Sequence, residues 1–269
     1  MVKLSVIVVS KNAEDHIQRA IDSLESQTFK DFEVIFIDAV STDKTLNIIN
    51  KCKLIKKVIS ERDEGIYDAM NKGVLRASGE IIYFLNTDDY LANKYIFEKI
   101  VPLFEENVVL VHGSTLVDYN GKTIDYYFDF TEKNLKTGTF PSQQCTFYNK
   151  NILTMLNGFT IKYKLAGDFE LFCRLYLFIN INKYFIRESK MGIAYLTPGG
   201  ASSIGNTGEK ELSSVIKEYY GYYYWFTWLF PKRAKTFFRK ILMALNLLNW
   251  YRSTIGKNAM SKKGVVLND

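Results

Sequence analysis

The residues of this 269-residue chain best placed to do chemistry are Asp88 and Asp89. They end the apolar run Ile81-Ile82-Tyr83-Phe84-Leu85-Asn86-Thr87. Adjacent carboxylates repel each other and are costly to dehydrate, so they commonly share a cation or a proton. A hard divalent metal holding a phosphorylated substrate is one consequence. The other is a solvated turn, for which Asp, Asn and Thr are ordinary residues.

The elements that must position this pair follow from the hydropathy pattern. The run before it, bounded by Gly79, has the composition of a strand covered on both faces. Upstream, Leu4-Ser5-Val6-Ile7-Val8-Val9 and Phe32-Glu33-Val34-Ile35-Phe36-Ile37 are similar runs, and Lys57-Val58-Ile59-Ser60 is a shorter one. Ile17, Ala20, Ile21 and Leu24 recur at helical spacing between the first two. Ser41-Thr42-Asp43 offers helix caps before Ile48 and Ile49, and Ile66, Ala69, Met70 and Val74 mark a third helix face. Strand alternating with helix predicts a parallel sheet, whose carboxyl edge is where such sheets keep ligands. Asp38, Asp63 and Asp88-Asp89 each follow a predicted strand, so they should gather on that edge. No GxGxxG or P-loop sequence occurs, which removes the usual phosphate cradles of dehydrogenases and P-loop NTPases.

Composition bounds the rest. The chain is 47% hydrophobic and 24% charged, enough for a large α/β core and an appendage. Cys52, Cys145 and Cys173 have no metal-ligand spacing and fit buried thiols in a reducing compartment. Met1-Val2-Lys3-Leu4 starts a strand pattern without a signal-peptide profile, so a cytoplasmic location is expected. The net charge of +6 is uneven: nine basic residues and one acid lie between Pro231 and Asp269. The body before them is therefore slightly acidic and is not a nucleic-acid surface.

The strand followed by Ser10-Lys11-Asn12, the segment Ile37-Asp38-Ala39-Val40-Ser41-Thr42-Asp43-Lys44-Thr45, the segment Asp63-Glu64-Gly65-Ile66-Tyr67-Asp68-Ala69-Met70-Asn71-Lys72-Gly73 and Leu85-Asn86-Thr87-Asp88-Asp89 together resemble the family-two inverting glycosyltransferases of the GT-A fold. Gly65 to Gly73 is especially similar to bacterial enzymes that build exopolysaccharide and lipid-linked oligosaccharide repeats. The resemblance covers about residues 3 to 204. It implies a GT-A mixed α/β sheet flanked by helices and an enzyme that uses a nucleoside-diphosphate sugar, UDP-linked in the first instance. Ser10, Asn12, Asp38 and Asp63 would then line the nucleoside pocket, and Arg62 would meet a phosphate. Asn86, as a neutral ligand or a sugar contact, and Thr87 would sit near the sugar, and Asp88, with Asp89 as the lesser candidate, would hold Mg²⁺ or Mn²⁺. Three positions depart from the family pattern. Asn86 stands where another Asp is common, and Gln143 replaces the His of a His-Gln element, leaving Gln144 to contact the sugar. Ala39-Val40 occupies a turn in which β-branched Val is unfavourable at positive φ.

Asp168 opens the helical pattern of Leu171, Phe172 and Leu175, and by position alone it is a helix cap. The resemblance implies that it is the catalytic base, with Glu170 as the backup. Tyr195-Leu196-Thr197-Pro198-Gly199-Gly200-Ala201-Ser202-Ser203 resembles a closing loop. Asn120-Gly121 is a hairpin signal, and His112 fits a structural role better than a catalytic one. The expected division is a catalytic domain over 1–208 and an aromatic, basic, helical region over 209–269. In that region Tyr219 to Phe230 and the stripe Phe237, Phe238, Ile241, Leu242, Leu245 and Leu248 are too short to span a bilayer. They suit an anionic membrane surface, and a helix pair packed on the chain's own body is the other reading. The expected partners are a nucleotide-sugar, a glycan or polyprenyl-linked acceptor and the inner face of a cell membrane. A nucleotidyltransferase and a catalytically silent nucleotide-sugar scaffold are the alternatives.

Overall fold

The computed structural model describes residues 2–54, 56–119, 121–182, 184–197, 206–244 and 265–266, with side chains omitted at 179–182, 206, 229–244 and 265–266. The first half alternates β1 (Leu4–Ser10), α1 (Ile17–Glu25), β2 (Phe32–Asp38), α2 (Thr45–Lys51), β3 (Lys56–Ser60), α3 (Ile66–Arg76) and β4 (Ile81–Asn86). The second half contains β5 (Tyr90–Leu91), α4 (Ile96–Ile100), β6 (Val108–Tyr119), β7 (Lys122–Tyr126), α5 (Glu132–Lys136), β8 (Thr146–Asn149), α6 (Lys150–Met155), α7 (Gly167–Asn182), β9 (Phe185–Tyr195), α8 (Asn206–Ala244) and β10 (Val265–Val266).

Neighbouring strands run in the order β10-β7-β6-β8-β4-β1-β2-β3, with β9 pairing β6 and β5. The pairs β4·β1, β1·β2 and β2·β3 are parallel, so their carboxyl ends meet on one edge. There Ser10 pairs Asp38 and Val9 pairs Asn86. Beyond β4 the sheet turns antiparallel through β8 and β6 to β7. Tyr119 faces Lys122 across the predicted hairpin and Gly121 adopts φ +79°; Asn120 lies outside the described residues.

Strands β1, β2 and nearly all of β4 are buried along their whole length, which explains their unbroken apolar runs. One sheet face is covered by Tyr67, Ala69, Met70 and Val74 of α3 together with Phe169, Leu171, Phe172 and Leu175 of α7. The other is covered by α1, α4 and Ile49 of α2. Each fully buried Leu, Ile or Phe contributes about 1.5–3 kcal/mol. The motif glycine Gly73 is set by packing, since a Cβ there would stand 2.4 Å from Ile7 Cγ2. All three cysteines are buried and free, as expected.

The start of α8 lies against this body. Val215 and Ile216 are fully buried, Trp228 nearly so, and Tyr219, Tyr220, Tyr224 and Trp225 pack on the α3/α7 side. Gly221, at φ +80°, breaks the helix in the middle of the aromatic run.

Candidate functional site

At the first corner of the site, Asp38 is wholly buried. Ser10 Oγ donates to its Oδ1 at 3.1 Å, as does Ser41 Oγ. Ser41 N–H and Ser60 Oγ donate to its Oδ2 at 2.9 and 2.8 Å. A carboxylate has about four acceptor positions, and Asp38 spends them joining the ends of β1, β2 and β3. Asn12, at φ +47°, accepts from Thr42 N–H at 2.9 Å. Val40 keeps the left-handed turn at φ +56° and is 47% exposed, so the β-branched residue is accommodated under strain of about 1–2 kcal/mol. None of the expected residues is the N-cap of α2, which is Lys44; Asp43, just before it, accepts Thr45 N–H on Oδ1 at 3.0 Å, and Ser41 is committed to Asp38. Asp63 Oδ1 accepts Gly65 N–H at 3.1 Å, and Arg62 is exposed.

At the second corner the carboxylate pair divides. Asp89 is 1% exposed and its Oδ1 accepts Thr197 N–H at 3.0 Å. Burial, together with the neighbouring Asp88 charge, pushes its pKa up to about 7 against the Thr197 and Asn86 hydrogen bonds and Arg19. Asp88 is half-buried, and it is its backbone carbonyl that binds Arg19, at 2.8 Å, and Thr197 Oγ1. Arg19 also donates to Thr197 Oγ1 at 2.8 Å and lies 4.4 Å over the Tyr90 ring, which stacks on Tyr195. The carboxylate turn is thereby fastened to the strand leading into the predicted closing loop, whose residues 198–203 lie outside the described ones. Thr87 is half-buried between Asn86 and Asp88.

Asn86 Oδ1 is buried without a hydrogen-bond partner among the described residues. That bare oxygen, two residues before the Asp88 carboxylate in the same turn, would add a second hard donor, a pair whose chemistry fits Mg²⁺ or Mn²⁺. Mg²⁺ in particular takes one or two carboxylates from protein and the remainder from phosphates and water. No group of three or more His, Cys, Asp or Glu side chains able to hold a metal occurs among the described residues, so the substrate would have to complete the shell.

At the third corner Asp168 is half-buried in the first turn of α7. Phe169 N–H and Tyr67 Oη donate to its Oδ1 at 2.8 and 3.1 Å; no other side chain among the described residues donates to Oδ2. Burial raises its pKa to about 6, against those two donors. Tyr67 belongs to the first turn of α3, the helix that begins at the carboxyl edge, so Asp168 stands over that edge. Glu170 is 5% exposed and is engaged by Arg174 through both oxygens, at 2.8 and 2.7 Å, and by Tyr219 Oη. It has a structural occupation that Asp168 lacks. Gln144 Oε1 accepts from Ser142 at 2.6 Å, while Gln143 is buried with an unpartnered Nε2.

Four contributors escaped the sequence reading. Tyr67 lay within the Gly65–Gly73 motif, and Gly167 beside Asp168 marks its place, because a Cβ on Gly167 would stand 2.7 Å from the Tyr67 ring. Glu211 accepts the successive N–H groups of Lys164, Leu165 and Ala166 at 3.1, 2.7 and 3.0 Å, fixing the approach to α7 from α8. Thr197 lay within the expected closing loop without a role of its own, and Arg19 had no local signal, since its partners are 69 and 178 residues away.

A GT-A architecture is what this mixed sheet flanked by helices defines. The chain belongs to the Glycosyl transferase family 2, whose profile matches residues 5–173. Among curated relatives, a PGL/p-HBAD biosynthesis glycosyltransferase of Mycobacterium bovis is 28% identical over 172 residues, covering 62% of this chain and 66% of that protein. A GalNAc(5)-diNAcBac-PP-undecaprenol beta-1,3-glucosyltransferase of Campylobacter jejuni is 27% identical over 57% of this chain and 53% of its own length. The chain thus spans about two thirds or less of these relatives. In fold it is similar to S. aureus TarS 1-349 in complex with UDP, with TM-score 0.62 and 24% identity over 80% of this chain and 64% of that one. It is also similar to a Pyrobaculum calidifontis mannosyltransferase in complex with GDP-Man and Mn²⁺, with TM-score 0.58 and 14% identity over 97% and 88% of the two chains.

Proposed function

We propose that this protein transfers a sugar, with inversion, from a nucleoside-diphosphate sugar to a hydroxyl of a glycan or polyprenyl-linked acceptor in bacterial surface-polysaccharide synthesis. A UDP-sugar is the favoured donor. The observation that carries the reading is Asp168, whose one oxygen is pinned by two donors while the other is open, with a pKa near working pH. General bases are most effective under those conditions.

In this reading Asp168 Oδ2 takes the proton of the acceptor hydroxyl as that oxygen forms its bond to the anomeric carbon. The bond from that carbon to the diphosphate oxygen breaks, its electron pair leaving with the nucleoside diphosphate. Asp88 and Asn86 Oδ1 would hold the divalent ion, which supplies charge neutralisation for the departing diphosphate. Asp63 is the nearer candidate for a nucleoside contact. Asp38, filled by hydroxyls, shapes the loop that carries Asn12 and Val40.

Membrane association is the finer part of the proposal. No described helix is long and apolar enough to cross a membrane. On α8, however, Tyr222, Tyr223 and Phe226 are 68, 72 and 58% exposed, and Lys217 lies 4.5 Å over the Tyr222 ring. Aromatic rings beside lysine suit an anionic headgroup layer at a cytoplasmic face.

Thermal melting with a panel of UDP- and GDP-sugars, with Mn²⁺ or EDTA, tests the donor reading. A donor at a hundred times its Kd stabilises by about 2.7 kcal/mol. A matched donor should raise the midpoint only with the metal and should be hydrolysed slowly. No shift with any nucleotide-sugar would refute the assignment.

A further inference from the structure

Helix α1 carries a polar stripe that grips the backbone after β4. Arg19, Ser23 and Gln27, the last just past the end of the helix, recur four residues apart, the spacing that aligns side chains along one flank. Leu91 N–H donates to Ser23 Oγ at 3.2 Å, Gln27 Nε2 donates to Asn93 O at 2.8 Å, and Phe97 N–H donates to Gln27 Oε1 at 3.2 Å. Arg19 makes the contact at the site end. One of its terminal nitrogens donates to both Asp88 O and Thr197 Oγ1 at 2.8 Å, and Thr197 Oγ1 in turn donates to Asp88 O, which closes a triangle.

Folding accounts for the lower two. Gln27 is buried and Ser23 half-buried, and each satisfies backbone groups that burial would otherwise strand. Arg19 is exposed, and the face that α1 buries consists of Ile17, Ala20, Ile21 and Leu24. Holding an arginine in one geometry costs much of its rotamer freedom, and an exposed charge contact returns little stability. What the contact does fix is the Asp88 peptide. The guanidinium also lies 4.4 Å over Tyr90, whose ring stacks 5.0 Å from Tyr195 across the β5–β9 pair, so the carboxylate turn is anchored to α1, β5 and β9 at once.

We propose that Arg19 is a positioning residue for the divalent-metal site: it fixes the Asp88 peptide so that the Asp88 carboxylate and Asn86 Oδ1, in the same turn, are held ready for the ion. The inference rests on the metal reading above. A nearby fixed cation repels Mg²⁺ or Mn²⁺, so as a charge alone Arg19 would weaken metal binding. As a positioning residue it strengthens that binding. The two roles predict opposite signs.

Arg19→Met keeps the stem and removes the charge and both hydrogen bonds, whereas Arg19→Lys restores one charged nitrogen that can donate to both oxygens. Mn²⁺ binding is read by electron paramagnetic resonance in the presence of UDP or GDP, corrected for Mn²⁺ held by the nucleotide alone, with metal-free melting as the measure of folding. Arg19→Met should weaken Mn²⁺ binding about tenfold, the loss expected from about two net hydrogen bonds, and Arg19→Lys should recover most of it. Thr197→Val, which removes the third corner of the triangle but keeps the N–H held by Asp89, should shift binding the same way. Ser23→Ala should lower the melting midpoint and leave Mn²⁺ binding as it was. Unchanged or tighter Mn²⁺ binding in Arg19→Met, or in Thr197→Val should Arg19→Met not fold, would overturn the role, as would a loss in Ser23→Ala equal to that in Arg19→Met. A wild type that binds Mn²⁺ with neither nucleotide overturns the metal assignment itself, and the role with it.

Discussion

Replacing Asp168 with Asn separates the catalytic cost of this carboxylate from its structural one. Burial raises its pKa from 3.8 to about 6, so the folded chain holds the proton more tightly than the unfolded chain does. A raised carboxyl pKa removes stability as pH climbs through that interval, and the loss is complete above it. The rise corresponds to at most about 3 kcal/mol, at about 1.36 kcal/mol per tenfold change in proton affinity. Asn keeps an Oδ1 for the Phe169 N–H and Tyr67 hydroxyl but cannot ionise. The variant should therefore match the wild type near pH 4 and exceed it by up to about 3 kcal/mol at neutral pH, or roughly 2–4 °C per kcal/mol in a domain of this size. Transfer should fall by about 10²–10⁴ while donor binding holds. Urea unfolding across this pH range, paired with turnover, reads both effects. Stability curves that stay parallel, or turnover within a few-fold of wild type, would refute the assignment of a desolvated base.

Three further outcomes follow from named contacts. Glu211→Gln puts an amide where two carboxylate oxygens accept three N–H groups, and it should cost about 2–4 kcal/mol in a denaturation midpoint and lower turnover more than donor affinity. Asn86→Asp adds a second charge beside Asp88, so it should tighten Mn²⁺, read as the metal concentration for half-maximal donor stabilisation, while lowering metal-free stability through carboxylate repulsion. Deleting residues 231–269 removes nine basic residues against one acid, and with them the chain's net positive charge, but spares Glu211 and Tyr219. With Lys217, Tyr222, Tyr223 and Phe226 retained, it should weaken sedimentation with anionic membranes by removing the basic tail, with donor hydrolysis intact, and undiminished sedimentation would count against the tail as an anchor.

The sheet and its carboxylate edge were legible because buried parallel strands announce themselves as unbroken apolar runs, and the residue after each must lie at the edge. What each carboxylate does there was less legible. Asp38 and Asp63 look alike in sequence, yet Asp38 is filled by Ser10 of β1, Ser41 of the loop after β2 and Ser60 of β3. Asp168 and Glu170 were paired as candidates, but residues two apart on a helix of 3.6 residues per turn point about 200° apart. One therefore faces the open edge and the other Arg174 and Tyr219. Val40 was recognised as an ill-suited residue for its turn, and the fold retains the turn at the residue's expense. The aromatic run of α8 carried two readings at once, and its residues divide between them. Trp228 and Ile216 are buried on the body, whereas Tyr222 and Tyr223, directly after the break at Gly221, are exposed.

That division has a mechanical consequence. Glu211 holds the three backbone groups leading into α7, and Tyr219 holds Glu170 two residues past the base. Both belong to the helix that displays Tyr222, Tyr223 and Phe226. Asp168 keeps its open oxygen because its other oxygen is fixed by Tyr67 and Phe169, and the position of α7 beneath them is fixed in turn by α8. Within the proposed function, the element offered to the lipid surface is the same element that braces the base. An acceptor arriving on a polyprenyl carrier would then be delivered toward the part of the fold where its hydroxyl must lose a proton.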